Sequence, residues 1–309
     1  MVHLSTKFAE FSRKGLDKIV TLQEDKAPKM YTRLAKNVMD AGKERYKRVD
    51  SIAYFGYHQN PGVGSNAEYF SHPTTDMLSP FTMDVTPEYR ALAFVMSSLA
   101  AKTDFYEKFN KAGTELAKSR FRTKEYDFFD LLNRAATAPT TGNGLLTLDG
   151  VALASASHPL ETGTKSNLTT SSALAQSTLE AAATAARRRY DHRGNVMQYT
   201  GSFTLVVPPE LELTAWKLVH SNQVVGSNNN ELNPFRGMSV LVCPYLTSST
   251  TWFLVADEEG WNPFLELKGA DGPYNDAEYT KNPRGITYLS SDHYKFAVLD
   301  WRGIQVVTA

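Results

Sequence analysis

The chain has 309 residues, of which 42% are hydrophobic and 21% are charged, a composition typical of a folded protein with a substantial core. Lysine plus arginine equals aspartate plus glutamate, at 33 each, which argues against a protein that holds nucleic acid along its whole surface. Cys243 is the single cysteine, so an intrachain disulfide and a cysteine-based metal cluster are excluded and a buried core thiol is predicted.

Residues 1–50 are predicted to form a charged, partly helical arm. Apolar residues recur near helical spacing, and the stretch holds twelve Lys and Arg against seven Asp and Glu, a surplus of 12 − 7 = 5 positive charges. Because so polar a segment builds no core alone, we expect it to pack on another subunit or an internal partner. It lacks the apolar run of a signal peptide, and no stretch reaches the roughly 20 apolar residues of a membrane span. The sequence therefore predicts a protein made and kept in the cytoplasm.

Residues 51–85 are predicted to form a long two-stranded excursion. Gly, Pro, Asn and Ser cluster between Gln59 and Asn66, as in a loop. Phe81, Met83 and Val85 then alternate with polar residues, which is the pattern of a strand. A polar excursion of this length usually acts outside the compact body of a protein. An ordinary surface hairpin remains the alternative.

Residues 86–140 are predicted to contain a spine-like helix. Thr86, Pro87 and Glu88 supply a hydroxyl N-cap, a proline at the first helical position and an acid in the first turn. An apolar stripe follows, formed by Leu92, Val95, Met96, Leu99, Tyr106, Phe109 and Leu116. One helix over 87–121 would be about 50 Å long at roughly 1.5 Å per residue. A helix of that length indicates a flat or elongated subunit.

From residue 141 onward the sequence predicts an α+β region without the regular repeat of a solenoid. We expect a helix over 173–190, capped by Ser171 and Ser172, and a second helix over 210–220. Residues 294–307 are predicted to form a hairpin that turns near Arg302 and Gly303. Three short apolar strands are predicted over 203–207, 239–242 and 251–256.

Motifs that carry enzyme chemistry are absent from the sequence. There is no Gly-rich phosphate loop, no His-Glu-x-x-His helix and no Gly-x-Ser-x-Gly elbow. Ser157 and His158 precede Pro159 and are better explained as a turn than as a nucleophile with its base. The run from Arg187 to Arg189 is interpreted as a solvated helix end. We therefore predict that the protein is not an enzyme and that it has no catalytic, cofactor-binding or metal-binding residues.

Eight short segments occur in an order that resembles the major capsid proteins of tailed bacteriophages, in particular the Mu-type major head subunit group. With the excursion and the helix, the resemblance covers about residues 52–257. The segments are Asp149-Gly150-Val151-Ala152-Leu153, Ser157-His158-Pro159, Ser166-Asn167-Leu168, Tyr190-Asp191-x-x-Gly194, Leu205-Val206-Val207-Pro208-Pro209-Glu210-Leu211, Asn228-Asn229-Asn230, Val242-Cys243-Pro244-Tyr245-Leu246 and Trp252-Phe253-Leu254-Val255-Ala256-Asp257.

The resemblance implies the Hong Kong 97 (HK97-like) capsid fold, of α+β class. It divides the chain into an N-terminal arm (1–50), an extended β-hairpin loop (51–85), a spine helix with a peripheral domain (86–140), an axial domain (141–292) and C-terminal strands that return to the peripheral domain (293–309). The implied function is self-assembly into pentamers and hexamers of an icosahedral shell around double-stranded DNA. The DNA is enclosed without sequence-specific binding.

The implied partners are other copies of the chain, a scaffolding protein, a portal and decoration proteins, with no membrane and no cofactor. The implied location is the virion, after assembly in the host bacterial cytoplasm. Two alternatives stay open at this point. One is the shell protein of an encapsulin-like nanocompartment, which shares the fold, and the other is an unrecognised hydrolase that uses scattered Asp, His and Ser residues.

Overall fold

A computed structural model describes residues 14–15, 17–20, 22, 29–40, 45–47, 82–97, 106–136, 144–224, 231–281 and 284–309. Most of the predicted arm and of the predicted excursion lies outside these residues, as do Asn228, Asn229 and Asn230. Within the described part, no helix is long and apolar enough to span a membrane.

A five-stranded sheet built around one long strand forms the first half of the fold. That strand, β15 (Arg284–Val298), pairs antiparallel with β14 (Tyr274–Lys281) along its first part and with β13 (Phe264–Lys268) along its last. All ten residues of the strand β4 (Glu88–Ser97) pair antiparallel with β15. The short β1 (Asn37–Asp40) adds to the sheet parallel to β13.

The long helix α2 (Tyr106–Asn133) contacts this sheet through β15 and β4. Its 28 residues correspond to about 42 Å at roughly 1.5 Å per residue. Near its C-terminal end, Phe128 and Phe129 are completely buried. They pack in one core with the short helix α1 (Tyr31–Leu34) and with side chains from both sheets of the protein. The helix thus joins the first sheet to the second sheet, which is described next.

The second sheet also has five strands, in the order β11, β10, β12, β16, β7. Every residue of its three central strands is buried, which accounts for their mostly apolar sequences. Two helices, α3 (Gln176–Arg187) and α4 (Glu212–His220), share a core with these strands. The five strands are β7 (Leu168–Thr169), β10 (Phe203–Val207), β11 (Ser239–Val242), β12 (Trp252–Ala256) and β16 (Ile304–Val307).

Short elements complete the described fold. Three two-stranded ladders are formed by β2 (Arg45–Lys47) with β3 (Thr82–Asp84), β5 (His158–Pro159) with β6 (Thr164–Lys165), and β8 (Arg188–Tyr190) with β9 (Val196–Gln198). Single 3₁₀ turns span Pro209–Leu211 and Trp301–Gly303.

Several elements agree with the sequence-based predictions. The strands over 203–207 and 239–242 are confirmed residue for residue, and the strand predicted over 251–256 occupies Trp252–Ala256. The helices predicted over 173–190 and 210–220 are present but shorter. These segments combine strong apolar patterns with clear turn residues at their ends, so local signals were sufficient to locate them.

The helix predicted to begin at Thr86 is wrong in its first part. Glu88–Ser97 is a strand, and the long helix begins only at Tyr106. Helix-favouring residues of β4 are overridden by its ladder with β15, and Phe94 stacks on Tyr288 at a centroid distance of 4.9 Å. Pro87 lies just before the strand, where its missing N–H removes no ladder hydrogen bond.

Two further predictions are wrong. Ser171 and Ser172 do not cap α3, because the N-cap is Ala175, whose backbone N–H donates to the Thr178 hydroxyl at 2.9 Å. Residues 294–307 do not form a hairpin. The chain leaves the first sheet at the end of β15, turns through Trp301–Gly303 and enters the second sheet between β12 and β7. The apolar patterns of the two strands are alike, so the sequence did not reveal that they belong to different sheets.

Replacement of Phe128 by alanine is expected to lower the free energy of unfolding by about 3–5 kcal/mol, because it empties a completely buried ring position in the core shared by both sheets. The measurement is chemical denaturation of the purified protein. Tyr126→Ala is the control, since Tyr126 lies on the same helix with 58% of its surface exposed, and it should change stability by under about 0.5 kcal/mol. Equal effects in the two variants would contradict the described packing of α2.

Candidate functional site

Three of the segments singled out in the sequence meet at one buried polar cluster. His158 is completely buried, and its Nδ1 lies 2.8 Å from Asp149 Oδ2. Its Nε2 lies 3.1 Å from Asn167 Oδ1, and its ring stacks on Trp301 at a centroid distance of 4.5 Å. Asn167 in turn donates to the backbone carbonyls of Leu153 and Trp301. We call these four side chains, with Arg189 and Arg302 described below, the Trp301 cluster.

The charge of Asp149 is stabilised within this cluster. Burial acts to raise the pKa of its carboxyl group, but hydrogen bonds from His158 and from the Thr147 hydroxyl outweigh burial and lower the pKa overall. The backbone N–H of Val151 donates to the same carboxylate at 3.2 Å. Asp149 therefore orients the imidazole from one side while it closes its own tight turn.

Arg189 is a buried cation without a carboxylate partner among its hydrogen bonds. Its guanidinium donates to the backbone carbonyls of Arg302, Ser166 and Ile304, and to the side-chain oxygen of Gln305, at 2.7–3.2 Å. It also lies over the Trp301 ring, 5.5 Å from the centroid. Burial, with a smaller contribution from the charge of Arg302, lowers its pKa to about 9, so Arg189 remains charged at neutral pH. The prediction that residues 187–189 are a solvated helix end is correct for the exposed Arg187 and Arg188 and wrong for Arg189.

Arg302 occupies the other edge of the cluster. It pairs with Asp300 at 3.2 Å and donates to the carbonyl of Tyr190 at 2.5 Å. Gly303 is required next to it, because an added Cβ would lie 1.7 Å from the carbonyl oxygen of Trp261. The C-terminal segment is therefore held against β8 by side-chain hydrogen bonds and against residue 261 by close backbone contact.

This arrangement holds chain segments together and offers no site for a substrate. Both ring nitrogens of His158 have protein partners, and one face of the ring is covered by Trp301. Asp149, His158 and Asn167 resemble a catalytic triad only in residue type, since a general base must reach a substrate proton. Among the described residues, no group of three or more His, Cys, Asp and Glu side chains is placed to hold a metal ion.

A second polar cluster fixes the middle of α2 to the first sheet. Asp292 on β15 accepts from Arg120 Nε and Lys124 Nζ, each at 3.0 Å. The Lys124 ammonium also lies 3.7 Å from Glu266 on β13 and 4.7 Å from the centre of the Tyr294 ring. All these side chains are largely buried. Breaking one partner of such a group leaves an uncompensated buried charge, which costs far more than loss of a surface ion pair.

Glu125, on the next position of α2, holds the N-terminal segment. Its carboxylate oxygens accept from the backbone N–H groups of Met30, at 2.6 Å, and Tyr31, at 3.1 Å. These groups begin the short helix α1, so a side chain nearly one hundred residues away satisfies donors that a local cap usually satisfies. Burial raises the pKa of Glu125 to about 7, although both backbone hydrogen bonds act to lower it.

The other residues that were noted in the sequence, Asp191, Gly194 and Cys243, have roles in turns or in the core. Asp191 accepts from the backbone and side-chain nitrogens of Asn195, at 2.7 and 2.8 Å, and closes the turn between β8 and β9. Gly194 in that turn has a φ of +87°, which side chains rarely adopt. Cys243 is completely buried, as predicted, and burial raises the pKa of its thiol to about 11.

The charged residues that the fold buries were not predicted from the sequence. Glu266 could have been identified from the sequence, because it lies between Leu265 and Leu267 in an apolar strand. A charged residue buried in such a strand needs a partner of opposite charge. Arg189 carried no such signal beyond its place in a run of three arginines. The identity of their partners depends on contacts between residues more than one hundred positions apart.

Comparison with protein families matches residues 81–307 to a family described as phage capsid protein. Comparison with curated proteins finds no match. Among solved structures, the chain is similar to a protein of Mycobacterium phage Patience, with 12% identity and a TM-score of 0.58 over 99% of this chain and 88% of that one. It is similar to the capsid of a native GTA particle, with 12% identity and a TM-score of 0.55 over 91% and 90%. It is also similar to the SrpI encapsulin complex of Synechococcus elongatus PCC 7942, with 11% identity and a TM-score of 0.50 over 91% and 87%.

Replacement of Arg189 by methionine is expected to destabilise the protein by about 3 kcal/mol, because several buried carbonyl groups lose their donor while the hydrophobic volume is kept. Chemical denaturation measures the change. Arg188→Met is the matched control, since Arg188 is its exposed neighbour on β8, and it should stay within about 0.5 kcal/mol of the unmodified protein. A loss below about 1 kcal/mol for Arg189→Met would show that the buried guanidinium does not hold the C-terminal segment.

Glu125 is expected to make the protein less stable as the pH rises from about 5 to 8. The folded state keeps a proton up to a pKa of about 7, whereas the unfolded chain releases it near the ordinary value of 4.5, so the stability gained below pH 7 is lost as the pH rises through that range. Glu125→Gln should flatten this slope, and urea denaturation at several pH values measures it. Glu115→Gln, at an exposed site on the same helix, should leave the slope unchanged. Identical slopes in the Glu125 variant and the unmodified protein would contradict the interpretation.

Proposed function

Because the chain belongs to the phage capsid protein family and is a capsid shell protein with an HK97-like fold, we propose that it is the major head subunit of a tailed phage. In this proposal, copies close into pentamers and hexamers of an icosahedral shell around double-stranded DNA. The observation that carries it is the family match over residues 81–307, which contain the second sheet, four of the five strands of the first sheet and the Trp301 cluster. The narrower Mu-type grouping remains a prediction.

The proposed domains follow the two sheets. We assign the first sheet and α2 to a peripheral domain, and the second sheet with α3 and α4 to an axial domain. The separate core beneath α3 and α4 supports this division. Two of the predicted assignments change in this proposal. The strands β13 and β14 and the first part of β15, predicted within the axial range 141–292, go to the peripheral domain with the rest of the first sheet. The strand β16, predicted within the returning segment 293–309, goes to the axial domain because it pairs between β12 and β7. Residues 1–50 remain the proposed arm, and residues 51–85 remain the proposed extended loop.

The proposed mechanism is assembly through many modest contacts, in which symmetric closure makes weak interfaces collectively durable. The net charge of zero supports it, since strongly charged copies would repel one another in a shell. We propose that the basic arm faces the lumen, where it meets a scaffolding protein and later DNA phosphate. Portal and decoration proteins are further proposed partners, and the proposed place of assembly is the host bacterial cytoplasm. The mature location is the virion.

A second candidate is the shell of a nanocompartment that encloses proteins. The likeness to the encapsulin complex favours it, because that structure shares the fold over most of both chains. The contents of purified particles separate the two candidates. DNA inside particles recovered from the natural source supports the phage head, and an enclosed protein without DNA supports the compartment.

The purified protein is expected to form closed shells, capsomers or tubes that are visible by negative-stain electron microscopy, because a shell subunit carries its assembly contacts on its own surface. Sedimentation of the same sample measures the assembled fraction. Phe128→Ala, expected to be destabilised in its core, should assemble poorly and serves as the control for folding. A correctly folded protein that stays monomeric at all concentrations and salt conditions would contradict the proposal.

A further inference from the structure

Helix α4 exposes an apolar stripe on the side opposite its buried face. Ala215, Leu218 and Val219 are buried in the core of the second sheet. Leu213 and Trp216 instead leave 74% and 59% of their surface exposed. Exposed side chains of this size, grouped on one helix face, are a signature of protein contact surfaces, and tryptophan is the residue most enriched at their centres.

The stripe has a defined shape. Trp216 stacks on His220, one turn further along the helix, at a centroid distance of 5.0 Å and an interplanar angle of 17°. This stack fixes the indole against the helix, so little side-chain entropy is lost when a partner covers it. Charged residues flank the stripe, with the exposed Glu212 and Lys217 on either side.

The same half of the protein also has a groove whose lining is complementary to this stripe in polarity and charge. It has a volume of about 590 Å³ and lies between α3 and the segment 234–239. Its lining includes the apolar side chains of Phe203, Phe235 and Met238. Charged groups of both signs also line it, namely Glu180, Arg187, Arg236 and Asp257. An apolar lining with charges of both signs suits a partner that presents an aromatic residue beside one acid and one base.

We propose that the stripe of Leu213, Trp216 and His220 in one copy of the chain docks into this groove in a second copy. The occupant is another copy because a shell protein meets copies of itself, and because Glu212 and Lys217 match the groove's arginine and carboxylate groups in charge. Trp216 leaves 59% of its surface to be covered on docking, and large aromatic side chains dominate the energetics of contact surfaces, so Trp216 is the anchor of the proposed contact. This inference rests on the proposed function and adds the surface through which neighbouring copies are joined.

The stripe and the groove have no residue in common, which permits a head-to-tail contact, and this is the arrangement that the proposal assigns. Such contacts generate closed rings when the rotation between copies closes, whereas a self-complementary contact stops at a dimer. The two surfaces are also held in a fixed relation. Gly237 N–H donates to the carbonyl of Val219 at 3.1 Å, and Asn233 Nδ2 donates to the carbonyl of Leu218 at 2.5 Å. These bonds join the groove segment to the end of α4, so the angle between stripe and groove is built into the subunit.

Trp216→Ala and Leu213→Glu test the anchor. Both positions are exposed, so circular dichroism and thermal unfolding should be unchanged, while the protein concentration needed for assembly should rise at least tenfold. Trp216→Phe, which keeps an aromatic ring, should recover most of the assembly. Thr214→Ala, at an exposed position on the same helix, is the matched control and should assemble normally. Normal assembly of folded Trp216→Ala would overturn the proposal and leave the shell function intact.

A cysteine pair tests the geometry. In Leu213→Cys combined with Met238→Cys, mild oxidation of assembled protein should give a ladder of covalent species up to the ring size on denaturing gels. Each single-cysteine variant should give no ladder, since the remaining Cys243 is buried. Covalent species that stop at the dimer, or no cross-linking in particles that form normally, would overturn the head-to-tail contact. Failure of the unmodified protein to form any particle would instead count against the proposed shell function.

Discussion

The hydrogen bonds of Arg189 hold in place the short segment on which both sheets depend. Residues 300–305 leave the first sheet and enter the middle of the second, and their backbone carbonyls are buried on the way. A buried carbonyl without a donor costs about 1–3 kcal/mol. Arg189 supplies donors to two of these carbonyls and to Ser166, while His158 and Arg302 close over the ring of Trp301. The second sheet can include β16 because the carbonyls of Trp301, Arg302 and Ile304 have side-chain donors in this segment.

The long helix connects this corner to the rest of the protein by two different means. Its C-terminal part is held by aromatic packing around Phe128, which contributes broad and nondirectional burial. Its middle is held by Lys124 and Arg120 on Asp292, where the geometry is specific. Glu125 adds a contact to the N-terminal segment at 2.6 Å. A helix anchored in these ways transmits the position of one sheet to the other, a useful property in a subunit whose copies must fit a common curvature.

The two proposed contact surfaces lie on the half of the protein that contains the second sheet. The exposed stripe on α4 and the groove beside α3 belong to the half of the molecule with the most completely buried strands. A contact surface on such a frame loses little conformational entropy when copies associate. The same frame explains why the motif residues Asp149, His158 and Asn167 lie inside the protein. Their burial and mutual hydrogen bonds give them a role in the shape of the subunit itself.

The sequence by itself determined three strands of the second sheet, the two helices that pack on it, the buried thiol at Cys243 and, through eight ordered segments, the capsid family. These strands and helices were located from local patterns, because their apolar runs are bounded by clear turn residues. Only the tertiary structure decided that Glu88–Ser97 is a strand, that the last two strands belong to different sheets and that Arg189 is buried. Each of these depends on partners far away in the chain, such as β15 for β4 and the carbonyls of residues 302 and 304 for Arg189. Pairing and burial are properties of contacts between distant residues, and one sequence read locally does not contain them.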